Sequence, residues 1–134
     1  MASVPYASAD GILMYATICT LPDITHAVRV LNRHMSKLGN EHWTVVKRVF
    51  CYLHGTYDLR LCYEGVKSSR GQTLLELRCF VDADWGGDID SRRSTSGYVV
   101  FLFGGAISWI SKRHTTVALS TTEEEYMALT HVLK

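Results

Sequence analysis

The spacing of apolar residues changes abruptly near residue 59, and no single kind of secondary structure satisfies both halves. Upstream, apolar side chains recur every three and four positions. Ile12, Tyr15, Ala16 and Cys19 keep that spacing, as do Ile24, Ala27, Val28, Leu31 and Met35. A third set, Trp43, Val46, Phe50 and Leu53, repeats it with Lys47 and Arg48 opposite. Positions so spaced fall on one stripe of an α-helix, so three helices are predicted. Pro22-Asp23 opens the second, because Pro suits a first turn and Asp suits its positive end. Gly39-Asn40 breaks it, with Asn40 placed to cap the third, and Gly55 ends the third.

Downstream the period is two. Leu59, Leu61 and Tyr63 suggest one strand, residues 67–72 a polar loop, and residues 74–84 a longer strand. Two more strands follow at 97–103 and 106–112, with Gly104-Gly105 between them as a tight hairpin signal. Both faces of residues 98–103 are apolar, as in a central strand covered on both sides. Ser120, Thr121 and Thr122 then precede Glu123, Glu124 and Glu125. Either Ser120 with Glu123 or Thr121 with Glu124 has the spacing of a capping box, so a last helix begins there. The expected class is α/β of the α+β kind: a helical segment over 1–58, then a sheet with antiparallel hairpin strands and one helix over 59–134.

Composition removes several functions. The net charge of +1 gives no global attraction to nucleic acid or membrane. Basic residues cluster only locally, at Arg92-Arg93 and Lys112-Arg113-His114. The four cysteines, Cys19, Cys51, Cys62 and Cys79, show no Cys-x-x-Cys spacing and read as buried reduced thiols rather than zinc ligands or disulfides. No run approaches the roughly 18 apolar residues that span a bilayer, so no membrane partner is expected. Residues 12–21 are apolar, but no Lys or Arg precedes them and Asp10 does. They read as a core helix rather than a secretory signal.

The chemistry concentrates in Phe80-Val81-Asp82-Ala83-Asp84-Trp85-Gly86-Gly87-Asp88-Ile89-Asp90, where four carboxylates occupy nine positions behind an apolar run. Hard cations such as magnesium take oxygen ligands from a few carboxylates and keep several waters. Alternation along a strand would place Asp82 and Asp84 on one face with Phe80, and Cys79, Val81 and Ala83 on the other. The same residues also suit a solvated turn. Glu123 and Glu124 are explained as negative charge in a first helical turn. Glu125 shares a helix face with Ala128, Leu129 and Val132, unless the stripe centres on Tyr126. A carboxylate at a core edge is costly unless paired or metal-bound, and the Asp82 strand is its natural partner.

Several stretches together resemble one family. Residues 80–88, Arg92-Arg93-Ser94-Thr95-Ser96-Gly97-Tyr98, Gly105-Ala106-Ile107-Ser108-Trp109 and Ala118-Leu119-Ser120-Thr121-Thr122-Glu123 with Glu125-Tyr126 look like the ribonuclease H domain of copia-type retrotransposons. Pro5-Tyr6-Ala7-Ser8, Leu13-Met14-Tyr15, Pro22-Asp23-Ile24, Glu41-His42-Trp43 and Tyr52-Leu53-His54-Gly55-Thr56 resemble the segment that precedes that domain in the same Pol polyproteins. The resemblance implies residues 1–58 as the connection after the reverse transcriptase and 59–134 as a truncated ribonuclease H-like domain with part of its mixed sheet. It implies a two-magnesium site that cuts the RNA strand of an RNA–DNA hybrid, with the rest of the polyprotein as partner. Asp82 matches the first-strand aspartate and Glu125 the helix glutamate. Asp84 is an auxiliary metal ligand, and Asp88 and Asp90 belong to the loop. Arg92, Arg93, Lys112 and Arg113 would meet phosphates or stay solvated. The implied location is the cytoplasm, a virus-like particle or the nucleus.

The chain also departs from that family. The third catalytic aspartate lies on a strand after the helix begun at Thr122, beyond Lys134, so little or no nuclease activity is expected of these 134 residues alone. Leu21 stands where Arg is usual, and Glu124 where a small residue is usual. A second reading is a secreted RxLR-type effector that enters plant cells and suppresses host cell death, since the same segment occurs in such chains. Arg29-Val30-Leu31-Asn32 is one residue from Arg-x-Leu-Arg. A third is a decayed transposon fragment.

Overall fold

The computed structural model describes residues 6–33, 40–64, 66–67, 73–88 and 90–133, and it divides after Arg60 into two compact units. In the first unit, α1 (Tyr6–Cys19), α2 (Thr25–Asn32) and α3 (Asn40–Gly55) enclose one apolar core. Its centre is Leu13, Val28, Leu31 and Val46, with Tyr6, Ala9, Ile24 and Val49 around them. Tyr6 sets its ring against Trp43, centroids 6.4 Å apart. Tyr52 on α3 donates to Asp23 ahead of α2 at 2.7 Å. Among the described residues no helix is long and apolar enough to cross a membrane.

The helices form where the spacing predicts, but α1 turns a different face inward and α3 differs at one position. In α1 the buried positions are Tyr6, Ala9, Asp10, Leu13 and Thr17. The expected stripe is outside: Ile12 is 60% and Tyr15 73% exposed. Asp10 and Thr17 tolerate burial because each has a partner. Asn32, its amide nitrogen turned toward Asp10, donates to the carboxylate, and Thr17 donates to the Met14 carbonyl at 2.7 Å. Burial raises the Asp10 pKa. In α3 Val49 takes the core place expected for Phe50. The second helix starts at Thr25 rather than Pro22, because the amide of Thr25 closes a turn onto the Pro22 carbonyl. Ile24, Val28 and Leu31 are buried in it as expected, while Met35 lies outside the described residues. The side chain of Asn40 lies outside them as well.

The second unit is a three-stranded antiparallel meander, β3 (Leu77–Asp84), β4 (Thr95–Leu102) and β5 (Gly105–Arg113), with α4 (Thr121–Val132) packed on β3 and β4. A separate two-stranded ladder, β1 (Val66–Lys67) with β2 (Thr73–Leu74), precedes it. The α/β class therefore holds. Every strand pair among the described residues is antiparallel, so the expected mixed sheet is present only in its antiparallel part. Three local expectations change. Residues 59–64 form no strand; Tyr63 runs beside the β4–β5 turn and donates its hydroxyl to Ala106 at 2.8 Å. Residues 74–84 break at 75–76 and serve two ladders. The hairpin turns on Phe103 and Gly104, with φ of 53° and 81°, rather than on Gly104-Gly105. Two consecutive positive φ values are what a two-residue type I′ loop needs. Gly105 is required for another reason. A Cβ there would lie 2.4 Å from the Tyr63 ring and 2.6 Å from the Cys62 carbonyl.

All four cysteines are free, as expected, but exposed rather than buried. Each sits on a helix face, strand or loop that the core does not cover.

Candidate metal and nucleic-acid site

The acidic run spans the end of β3 and the loop that carries the chain to β4. Asp82 pairs with Gly97 and Asp84 with Thr95, so both stand where the strand runs out. Past them the chain must reverse sharply, which Gly86 (φ 63°) and Arg92 (φ 55°) accomplish. Ser94, fully buried, accepts the Gly86 amide on its hydroxyl at 3.1 Å. Trp85 pins the loop to the segment before α4 by donating to the Ala118 carbonyl at 3.2 Å. Asp88 holds the tip. Its carboxylate accepts from Ser91 at 2.7 Å and pairs with Arg113, while its carbonyl accepts the Arg92 amide at 2.7 Å. The Ser91 hydroxyl and the Arg113 guanidinium together lower the Asp88 pKa to about 2. Asp88 is thus an anchor of the loop.

Asp84 leans over Gly87. A Cβ at residue 87 would fall 1.7 Å from its Oδ2, so only glycine leaves this carboxylate its place. Asp82 lies one register step deeper, and its Oδ1 accepts the Ala83 amide at 2.9 Å.

The opposing wall is α4. Ser120 caps it by accepting the Glu123 amide at 3.2 Å, and the Glu123 carboxylate returns to the Leu119 amide at 2.7 Å. Of the two capping arrangements open in the sequence, the Ser120–Glu123 one forms. This phase places Glu125 on the side of α4 that looks onto β3. Val81, Asp82, Ala83, Glu125, Ala128 and Leu129 line one hollow of about 220 Å³. Asp82 and Glu125 therefore line the same hollow, and Asp84 is not among the lining residues. The basic residues separate. Arg113 is committed to Asp88, Arg92 is exposed beside Gly86, Lys112 is exposed on β5, and Arg93 is half-buried. Among the described residues no group of three or more His, Cys, Asp and Glu side chains is disposed to hold a metal ion.

One cluster was not foreseen. Glu124, expected as a solvated charge of a first turn, is only 1% exposed. Its Oε1 lies 3.1 Å from His114 Nε2 and accepts from the Ser96 hydroxyl at 3.1 Å. Ser96 Oγ and His114 Nε2 are 2.5 Å apart. Glu124 Oε2 is buried with no partner among the described residues, and the His131 ring stands 5.5 Å from that of His114. His114 also ties β5 to β4 through its amide, which donates to the Ser94 carbonyl at 2.9 Å. Both Ser96 and Glu124 meet the same ring nitrogen. This is a structural knot between β4, β5 and α4, without the relay through two ring nitrogens that a hydrolytic triad uses. The signal in the sequence was Glu124 itself, a charged residue where a small one is usual.

The chain is 50% identical over its full length to the retrovirus-related Pol polyprotein from transposon TNT 1-94 of Nicotiana tabacum, of which it spans 10%. It is 40% identical over 92% of its length to the Pol polyprotein from transposon RE2 of Arabidopsis thaliana, of which it spans 8%. A short relative, secreted RxLR effector protein 161 of Plasmopara viticola, is 48% identical over 96% of the chain, which covers 87% of that protein. No family model matches the sequence. No solved structure matches it either. The chain spans about a tenth of the Pol polyproteins it matches, so the matching segment there is one part of a much longer protein. With identity of this order running through both units, the chain belongs to the copia-like retrotransposon Pol family, as a segment that these polyproteins and the short RxLR-named relative share.

Proposed function

We propose that residues 61–134 are the first part of a ribonuclease H-type domain, in which Asp82 and Glu125 hold magnesium against the RNA strand of an RNA–DNA hybrid. One observation supports this reading above the others. A carboxylate from the end of β3 and one from the first turns of α4 line the same hollow. Two carboxylates suit one magnesium ion that keeps several waters, and a metal pair calls for further acids. When bound, such ions activate a water and stabilise the leaving oxygen. The residues of the chain have simpler tasks. The Ala83 amide orients the Asp82 carboxylate, and the capped start of α4 presents Glu125. Arg92 and Lys112 are the cations left to meet phosphates, since Arg113 is engaged by Asp88.

A chain extended past residue 134 through the next acid-bearing strand is expected to cut the RNA strand of a hybrid in magnesium. Asp82→Asn or Glu125→Gln should each lower that rate by about 100-fold or more, the order of effect seen when one electrostatic stabiliser is removed. The 134-residue chain should cut far more slowly than the extended one. Absence of cutting by the extended chain, or cutting that survives Asp82→Asn, overturns the proposal.

A second reading rests on the RxLR-named relative, which this chain nearly covers. On that reading the chain is an exported effector. The Arg29-Val30-Leu31-Asn32 tetrad lies within α2, and Leu31 is 2% exposed, so its leucine serves the core. Export is the deciding measurement. Recovery of the chain outside the producing cell supports the effector reading, and strict retention inside it removes that reading.

A further inference from the structure

Resting on the metal reading above, we infer that Ser96, His114 and Glu124 are positioning residues for the Asp82–Glu125 hollow. Their buried knot fixes the rotation of α4 over the sheet, and with it the distance between the two carboxylates. Glu124 and Glu125 are consecutive on α4 but differently placed. Glu124 is buried between Ser96 of β4 and His114 at the end of β5, whereas Glu125 is exposed and lines the hollow against β3. An exposed carboxylate has no core around it, so its place follows the rotation of the helix that carries it. Apolar packing sets that rotation only loosely. Ala128 is the other buried residue of α4, while Tyr126 and Leu129 are exposed. A methyl group against a sheet is attracted without direction. Hydrogen bonds do have direction. Glu124 Oε1 accepts one from the Ser96 hydroxyl at 3.1 Å and lies 3.1 Å from His114 Nε2.

The knot reaches the other acid as well. Ser96 is the register partner of Ala83, and the Ala83 amide donates to Asp82. His114 follows β5 directly, and its amide donates to the Ser94 carbonyl two residues before Ser96. The same few groups therefore hold both walls of the hollow. Magnitudes show why such holding matters to a metal. Side-chain ends lie about 5–6 Å from a helix axis, so a rotation of about 20° carries a carboxylate through about 2 Å. Magnesium asks for near-ideal octahedral geometry at about 2.1 Å, so a displacement of that size removes a ligand. Groups that orient a metal ligand without touching the metal are worth about 10–100-fold in affinity. Glu124 Oε2, buried without a partner among the described residues, shows that the arrangement has a cost in stability. An apolar side chain would fill the space without that cost, so stability alone does not account for a carboxylate here.

Titration of the isotope-labelled 134-residue chain with Mn2+, which shares magnesium's preference for oxygen ligands, reads the site by NMR at fixed pH. Paramagnetic broadening of the Ala83 and Glu125 amides gives the affinity at the hollow. Proton contacts from the methyls of Val81 and Ala83 to those of Ala128 and Leu129, recorded without metal, give the rotation of α4. Ser96→Ala leaves every charge in place and should weaken Mn2+ binding by about tenfold or more, with altered contacts across the hollow. Glu124→Ala should do the same. Glu124→Gln removes the charge but keeps an oxygen for the Ser96 hydroxyl, and should hold affinity and contacts close to the parent's. The amide pattern of β3, β4 and β5 shows which variants are folded. Parent-like affinity in Ser96→Ala and Glu124→Ala overturns the inference, as does weakened binding with unaltered contacts. A loss in Glu124→Gln equal to that in Glu124→Ala traces the effect to charge and overturns it too. Those failures leave the metal reading standing. That reading fails, and the inference with it, if the parent shows no broadening at Ala83 and Glu125 or if the broadening survives Asp82→Asn.

Discussion

Replacing His114 with leucine is expected to destabilise the second unit by about 1–3 kcal/mol, the usual cost of leaving a buried polar group without one of its hydrogen-bond partners. Glu124 would be left nearly sealed from water with only Ser96 to donate to it, and its Oε2 already has no partner among the described residues. The reverse change should be milder. Glu124→Ala removes the buried carboxylate along with its unpartnered oxygen. Replacing both His114 and Glu124 with leucine should recover most of the loss, since well-packed apolar residues often match a buried pair. Chemical denaturation of the three variants gives the ranking. His114→Leu should be the least stable, and amide exchange should speed up in β4, β5 and α4. A His114→Leu variant within about 1 kcal/mol of the parent would mean that the pair is not sealed from water.

The second large effect lies in the helical unit. Leu13→Ala is expected to cost about 2–5 kcal/mol, because Leu13 is 1% exposed and its removal opens a cavity at the centre of the three helices. Ile12→Ala, one residue away, should stay within about 0.5 kcal/mol, as surface changes do. Trp43 packs against this core, so in a background where Trp85 and Trp109 are replaced by Phe its fluorescence during denaturation follows the unit. Equal effects at the two positions would place α1 in a different rotation.

That pair of positions also marks where the sequence stopped being informative. The period of α1 was legible, but its phase was not. Ile12, Tyr15 and Cys19 form as good a stripe as Tyr6, Ala9 and Leu13, and the decision falls to Asp10 and Thr17, which are buried because Asn32 and the Met14 carbonyl receive them. The Asp10–Asn32 contact joins residues far apart in the chain and leaves no periodic trace. The same reason hid Glu124. A triplet of glutamates after a Ser cap has a sufficient local explanation, and only His114 and Ser96, brought from two strands, give the middle one a buried role. The meander was more legible, since hairpin signals and alternation are local. Even there Tyr98 to Phe103 announced a central strand while Leu59, Leu61 and Tyr63 imitated a strand that does not form. That Asp82 and Glu125 would face one hollow was legible because each sits at a position fixed by its own element, the end of a strand and the start of a capped helix.

The order of the sheet has a consequence for how such a segment travels between genes. β3, β4 and β5 are neighbours both in space and along the chain, and α4 follows directly. Each ladder closes over a short loop, so the chain entropy lost on folding is small and contacts form early. Among the described residues, 77–132 carry both antiparallel ladders of this sheet within fewer than sixty consecutive codons. A recombination event that copies this stretch moves the three strands together with the helix that packs on them, whether it lands inside a long polyprotein or in a short reading frame.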